Sequence, residues 1–259
     1  MNWGIWLLSL LMTTSAFAIR NGVSGRFFKE SRYLAEIDIE RTRGAVGKCT
    51  GIRIHQDYVL TVAHCFSDVP DSTKFSLKYK NSWGRRRSRQ VHVNEVIILS
   101  TKLHKELALI PLKNTRDSFI APDIYQDEFS LSQIRFFGFG MNTSGNFTGL
   151  RSATLGLKIE NQTEPNGLIV ASPGAGNAHP CPGDSGGPLF KEVDGEMKVW
   201  GLITYVNDSE GKLNSENADH VKVCKKADRS YFIPLHSHMD FLNTYFEVAT
   251  NLAENETNP

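Results

Sequence analysis

Cysteine is scarce in this chain, with four in 259 residues. They stand at Cys49, Cys65, Cys181 and Cys224, and no two have the C-x-x-C spacing of a zinc site. His92, His104, His179, His220, His236 and His238 form no ligand set either, so neither a metal nor a cofactor is expected. Charge of one sign is also lacking: 29 Lys and Arg against 28 Asp and Glu leave a net +1. That balance argues against a nucleic-acid partner, which calls for a basic surface. The local exception is Arg85-Arg86-Arg87 with Arg89, a charge run of the kind that lines a solvated loop. Internal repeats and low-complexity linkers are absent. Beyond the first residues there is no long apolar run. Trp6 to Met12 is apolar but too short to span a bilayer, and Ala16-Phe17-Ala18 is a small-x-small cleavage site. Residues 1–18 are therefore read as a secretory signal peptide of an exported, extracellular or periplasmic protein with no membrane span. Export favours disulfides, and four cysteines allow three pairings.

What is present is a series of short β-branched and aromatic runs bounded by Gly, Asn, Asp and Pro. They include 51–54, 58–62, 92–99, 107–112, 133–140, 168–171 and 199–204. Such spacing predicts an all-β sandwich or barrel, not βαβ units. Near the end, Met239, Leu242, Tyr245, Phe246, Ala249 and Leu252 recur every three or four residues and predict an amphipathic helix over about 238–253.

Two segments carry chemistry. Cys181-Pro182-Gly183-Asp184-Ser185-Gly186-Gly187-Pro188 puts a Ser in a turn rich in Gly. Thr61-Val62-Ala63-His64-Cys65 puts a His at the end of an apolar run. A Ser hydroxyl becomes a good nucleophile only when a base takes its proton, and His is the side chain best suited to that at neutral pH. Glycines let bare N–H groups approach a developing oxyanion.

Together, and in this order, the two segments resemble the trypsin/chymotrypsin-type serine proteases. The likeness runs over nearly the whole chain after residue 18. It implies two six-stranded antiparallel β-barrels with a C-terminal helix. One peptidase domain would cover 19–259, with barrel one over about 19–117, barrel two over about 118–235 and the crossing near 114–122. It implies the disulfides Cys49–Cys65 and Cys181–Cys224. It makes Ser185 the nucleophile, His64 the general base, and the N–H groups of Gly183 and Ser185 the oxyanion hole. It pairs Asp184 with a free amino group at Ile19, because Ile19-Arg20-Asn21-Gly22 resembles the family's mature start.

The third triad position departs from the pattern. The family has Asp before its Ala-Leu-Ile strand, whereas this chain has Glu106-Leu107-Ala108-Leu109-Ile110. The extra methylene moves the carboxylate by about 1.5 Å. In the specificity pocket the resemblance puts His179 at the floor, Thr204-Tyr205-Val206 along one wall and Arg229 on the other. His179 and Arg229 would favour an acidic side chain; alternatively, Arg229 fills the pocket or points to solvent. Two functions stand at this point: a secreted monomeric serine endopeptidase acting on protein or peptide substrates through an acyl-enzyme, or a catalytically impaired homologue that acts as a binding protein.

Overall fold

The computed structural model describes residues 19–40, 46–67, 69–99, 106–113, 118–126, 134–155, 158–163, 167–173, 177–210, 213 and 219–246. The signal segment 1–18 lies outside them. Two antiparallel sheets contain the strands. The first holds β2 (Leu34–Glu40), β3 (Val46–His55), β4 (Tyr58–Val62), β5 (Lys74–Lys80), β6 (Arg86–His92), β7 (Ile97–Ile98) and β8 (Leu107–Pro111), in the order β6-β5-β2-β3-β4-β8-β7. The second holds β1 (Val23–Ser24), β9 (Ile134–Gly138), β10 (Arg151–Leu155), β11 (Lys158–Thr163), β12 (Ile169–Ser172), β13 (Pro188–Val193), β14 (Glu196–Asn207) and β15 (Arg229–Pro234), in the order β1-β10-β9-β13-β14-β15-β12-β11. The fold is the expected all-β double barrel with a C-terminal helix, but among the described residues the sheets carry seven and eight strands, not six each. The two-residue β7 and β1 are edge additions.

Two local expectations change. The run 92–99 is not one strand. Glu95 accepts the His92 N–H at 3.1 Å and closes a 3₁₀ turn over Val93–Glu95, which separates β6 from β7. The chain start, expected with barrel one, belongs to the second sheet, because Val23 pairs with Ser152 of β10. The crossing falls between β8 and β9; of the expected boundary, 114–117 lies outside the described residues and 118–122 has no regular structure. A short helix α1 (His220–Lys226) also stands between β14 and β15. Asp219 caps it by accepting the Val221 N–H at 2.9 Å, and Lys225 and Lys226 lie in its last turn, where cations suit the helix dipole.

Alternation explains which faces are buried. In β2, Ala35, Ile37 and Ile39 point inward, while Glu36 and Asp38 face out to Lys48 and Lys78. In β4, by contrast, Val59 to Val62 are all buried, because one face lines the core and the other meets the second sheet. Both expected disulfides form, Cys49–Cys65 and Cys181–Cys224. A second helix α2 covers 239–246, and the rest of the expected helix, 247–253, lies outside the described residues. α2 packs on the first sheet: Leu242 is fully buried, and Phe246 stacks on His55 at 5.0 Å between centroids. No described helix is long and apolar enough to cross a membrane.

Removing the Leu242 side chain should cost about 2–5 kcal/mol, the usual range for a buried Leu→Ala change. Urea unfolding of Leu242→Ala against the parent measures it; a loss within error would mean that α2 does not hold the first core together.

Candidate active site

The site is assembled across the two sheets. His64 sits in a 3₁₀ turn, Ala63–Phe66, directly after β4, and Glu106 directly precedes β8. These strands are paired neighbours, with Val62 opposite Leu107, so their ends place His64 beside Glu106. The His64 Nδ1 to Glu106 Oε2 distance is 2.8 Å. Glu106 is 3% exposed, while the His64 side chain is 35% exposed. The second Glu106 oxygen accepts a hydrogen bond from the Thr204 hydroxyl, on β14 of the other sheet. Thr204, expected on the pocket wall, is thus also a partner of the acid.

Ser185 stands in the loop before β13. Its hydroxyl donates to the Thr204 carbonyl at 3.0 Å, and among the described residues no hydrogen bond joins it to His64. The loop turns at Gly183 and Gly186, with φ of +97° and +79°, a region open to glycine at little cost. At Gly186 a side chain would also collide, since a Cβ would lie 2.1 Å from Thr61 Oγ1 and 2.2 Å from the Thr50 carbonyl. The backbone N–H groups of Gly183 and Ser185 donate to nothing among the described residues. Both carbonyls are instead anchored to the first sheet: Thr50 N–H donates to Ser185 O at 2.8 Å, and Thr50 Oγ1 donates to Gly183 O at 3.1 Å. The same hydroxyl accepts the Phe139 N–H at 2.9 Å.

Asp184 is fully buried. Its two oxygens accept the N–H groups of Gly140 at 2.7 Å and Cys181 at 2.8 Å. Burial outweighs those bonds and pushes its pKa up to about 7. Strand β9 leaves room for it with glycine, because a Cβ on Gly138 would lie 2.0 Å from Asp184 Oδ1. The Ile19–Asp184 ion pair is not formed. In the continuous chain the Ile19 nitrogen belongs to a peptide bond and carries no charge to offer. Ile19 is nevertheless fully buried, in an apolar cluster with Phe136 and Trp200, and its φ is +56°.

The expected pocket residues divide. His179 is fully buried, contacts Ser230 Oγ through Nδ1 at 3.2 Å, and is held neutral: burial first, then nearby Arg20, push its pKa down to about 3. It therefore offers no charge to an acidic substrate, which corrects that part of the sequence reading. Val206 turns into a cluster with Val223 and Ala227. Tyr205 stacks on Tyr231 at 4.0 Å between centroids, and Arg229 pairs along the ladder with Asn207. No group of three His, Cys, Asp or Glu among the described residues is arranged to hold a metal.

The trypsin family model matches residues 22–225, so the chain belongs to the trypsin family of serine proteases. It is 25% identical over 198 residues to the human hepatocyte growth factor activator serine protease, a match covering 64% of this chain and 30% of that protein.

Sequence reading missed Thr50, Gly138 and the second role of Thr204. A signal existed for Gly138: alternating glycines in the apolar run 136–140 mark a close approach to a strand. Thr50→Val strands the Gly183 carbonyl and the Phe139 N–H and should cost about 1–3 kcal/mol. Thr50→Ser keeps the hydroxyl and should cost less; equal losses in thermal unfolding would show that the hydroxyl is not what matters.

The two buried titrating groups work against each other. Folded Asp184 keeps its proton to about pH 7, against about pH 4 when unfolded. Its contribution is full at low pH and is lost as pH rises through that window. His179 stays neutral to about pH 3 when folded, but takes a proton below about pH 6.5 when unfolded. Its contribution is lost as pH falls. Between about pH 4 and 6.5 the two slopes oppose at up to about 1.4 kcal/mol per pH unit each. His179→Gln removes one slope, so its stability relative to the parent should fall as pH rises through that range. A flat difference in denaturant titrations would contradict a buried neutral His179.

Proposed function

We propose that the protein is an exported serine endopeptidase with Ser185 as nucleophile, His64 as general base and then acid, and Glu106 as the orienting carboxylate. The observation that carries this reading is the His64–Glu106 hydrogen bond of 2.8 Å with the second Glu106 oxygen held by Thr204. The longer acid still reaches both partners of an orienting carboxylate. Its hold on Nδ1 fixes the imidazole tautomer and leaves Nε2 to take the serine proton.

The reaction follows from these positions. The Ser185 hydroxyl swings from the Thr204 carbonyl toward His64 and attacks a peptide carbonyl as its proton passes to Nε2. The N–H groups of Gly183 and Ser185, which donate to nothing among the described residues, receive the oxyanion. The intermediate collapses, and the leaving amine takes the proton from His64. Water then enters, loses a proton to His64 and bonds to the acyl carbon; the acyl–Oγ bond breaks as His64 returns that proton to the Ser185 oxygen. Substrates are proteins or peptides, and the half-buried Tyr205 and Arg229 border the specificity pocket.

Asp184 supports activation by cleavage after Ala18. It is a buried carboxylate without a cation, and an Ile19 ammonium would supply one. Cleavage would also abolish the φ torsion that holds the β-branched Ile19 in the left-handed region, a conformation costing about 1–3 kcal/mol. The second reading, a binding homologue, is favoured by one observation: the Ser185 hydroxyl donates to the Thr204 carbonyl, and among the described residues no hydrogen bond joins it to His64.

The deciding experiment digests a denatured protein mixture with protein starting at Ile19, with Ser185→Ala as control, and identifies new termini by mass spectrometry. Cuts absent from the control establish the peptidase; none from folded protein favours the binding homologue. Because Glu106 spans His64 and Thr204, Glu106→Asp should lower kcat by about 10- to 100-fold, the effect of ~1 Å of misplacement. Glu106→Gln should lower it by about 10,000-fold, as amide substitution does at the equivalent acid of this family's triad. A gain in kcat for Glu106→Asp would show that the site is not built around Glu.

A further inference from the structure

Strands β5 and β6 form a hairpin at one edge of the first sheet, with β6 outermost. Its tip is tightly tied. Gly84 N–H donates to Asn81 O at 2.9 Å, Asn81 N–H to Arg85 O at 3.0 Å, and Arg85 N–H to Asn81 Oδ1 at 2.9 Å. Asn81 is buried, whereas 82–88 are exposed and Trp83 is 72% exposed. Across the ladder Lys80 faces Arg86, and Tyr79 faces Arg87, so cations stand on both faces of the hairpin.

Other cations nearby are already matched. Arg89 donates to Pro111 O and Glu95, and Lys78 pairs with Asp38. Arg85, Arg86 and Arg87 have no acidic partner among the described residues, and the Lys80 ammonium donates to the Ser31 hydroxyl at 3.1 Å. Burial and then Arg86 push the Lys80 pKa down, so these positive charges lie close enough to repel one another. The chain as a whole carries only +1, so this cluster is a local concentration of positive charge without an acidic partner among the described residues.

Three features select the ligand. Guanidinium forks take sulfate and carboxylate oxygens in pairs. An exposed indole offers a flat apolar face to the C–H side of a sugar ring. The unpaired charge is confined to 80–87 and wraps the tip, while 88–92 holds Ser88, Gln90 and the already paired Arg89. An acidic peptide added as a strand along β6 would run mostly beside that neutral half. We propose that the hairpin tip, Trp83 and Arg85–Arg87 with Lys80, is a binding site for a sulfated, uronate-bearing polysaccharide. The tied turn presents these groups without further ordering, which removes part of the entropic cost of binding.

The test titrates the full chain into a fluorescein-labelled heparin octasaccharide and follows anisotropy over a series of salt concentrations. A triple variant, Arg85→Ala with Arg86→Ala and Arg87→Ala, should bind about tenfold or more weakly, and its slope of log K against log salt should flatten by about three, roughly one per cation removed. The ligand should also shield Trp83 from acrylamide, seen as the difference in quenching between the parent and Trp83→Phe. All substituted side chains are exposed, and unchanged circular dichroism and thermal unfolding will show that the variants fold. Equal affinity in the triple variant, or an unshielded Trp83, overturns the proposal. So does tighter binding to phosphatidylserine vesicles or to a poly-glutamate peptide than to the octasaccharide.

Discussion

Thr50 holds the two halves of this protein in register. Its N–H and hydroxyl anchor the carbonyls of Ser185 and Gly183, and its hydroxyl also receives the Phe139 N–H. Its own carbonyl accepts the Thr61 hydroxyl at 2.7 Å. A side chain on β3 thereby fixes the backbone of a loop in the opposite sheet. His64 and Glu106 belong to one sheet, Ser185 and Thr204 to the other. Any chemistry between them depends on that stitch, because a shift of ~1 Å at such a site is enough to disable it. The absence of a side chain at Gly186 belongs to the same constraint: the loop and the first sheet touch there through bare backbone.

Two buried carboxylates near the loop are treated differently. Glu106 loses water but gains His64 and the Thr204 hydroxyl. Asp184 loses water and gains only two backbone N–H groups, which do not offset its burial, so it keeps a proton near neutrality. The contrast is chemical: among the described residues an imidazole and a hydroxyl bond to one, and only backbone N–H groups to the other. The loop that carries Ser185 is therefore built around an acid whose charge state depends on what else enters its surroundings.

Much of this was legible in the sequence, and the reasons are local. Strands such as β4 and β8 are short, β-branched and bounded by turn residues, so they declare themselves. The Ser185 and His64 segments carry glycines and a cysteine in patterns too particular for ordinary turns. The fold and family read from them hold, and the Cys49–Cys65 and Cys181–Cys224 pairs form. What escaped was non-local. Nothing next to Thr50 says that its hydroxyl reaches a loop more than a hundred residues away along the chain. His179 looks like a pocket cation until its burial is known. The run 92–99 reads as one strand because a single Glu95 contact, not a Gly or Pro, interrupts it. Helix α1 had a sequence signal in Asp219 and the following lysines, hidden within a polar stretch.

The placement of β1 has a consequence for the order of events during synthesis. Strands β2 to β8 lie together in the chain, and every partner of the first sheet is present once Pro111 has been made. The chain start is different. Val23 must wait for Ser152, and Arg20 for His179, although both are made before any strand of the first sheet. Contacts that span so much chain close late and slowly. Residues 20–24 are thus among the last to find their places, after the first sheet is complete.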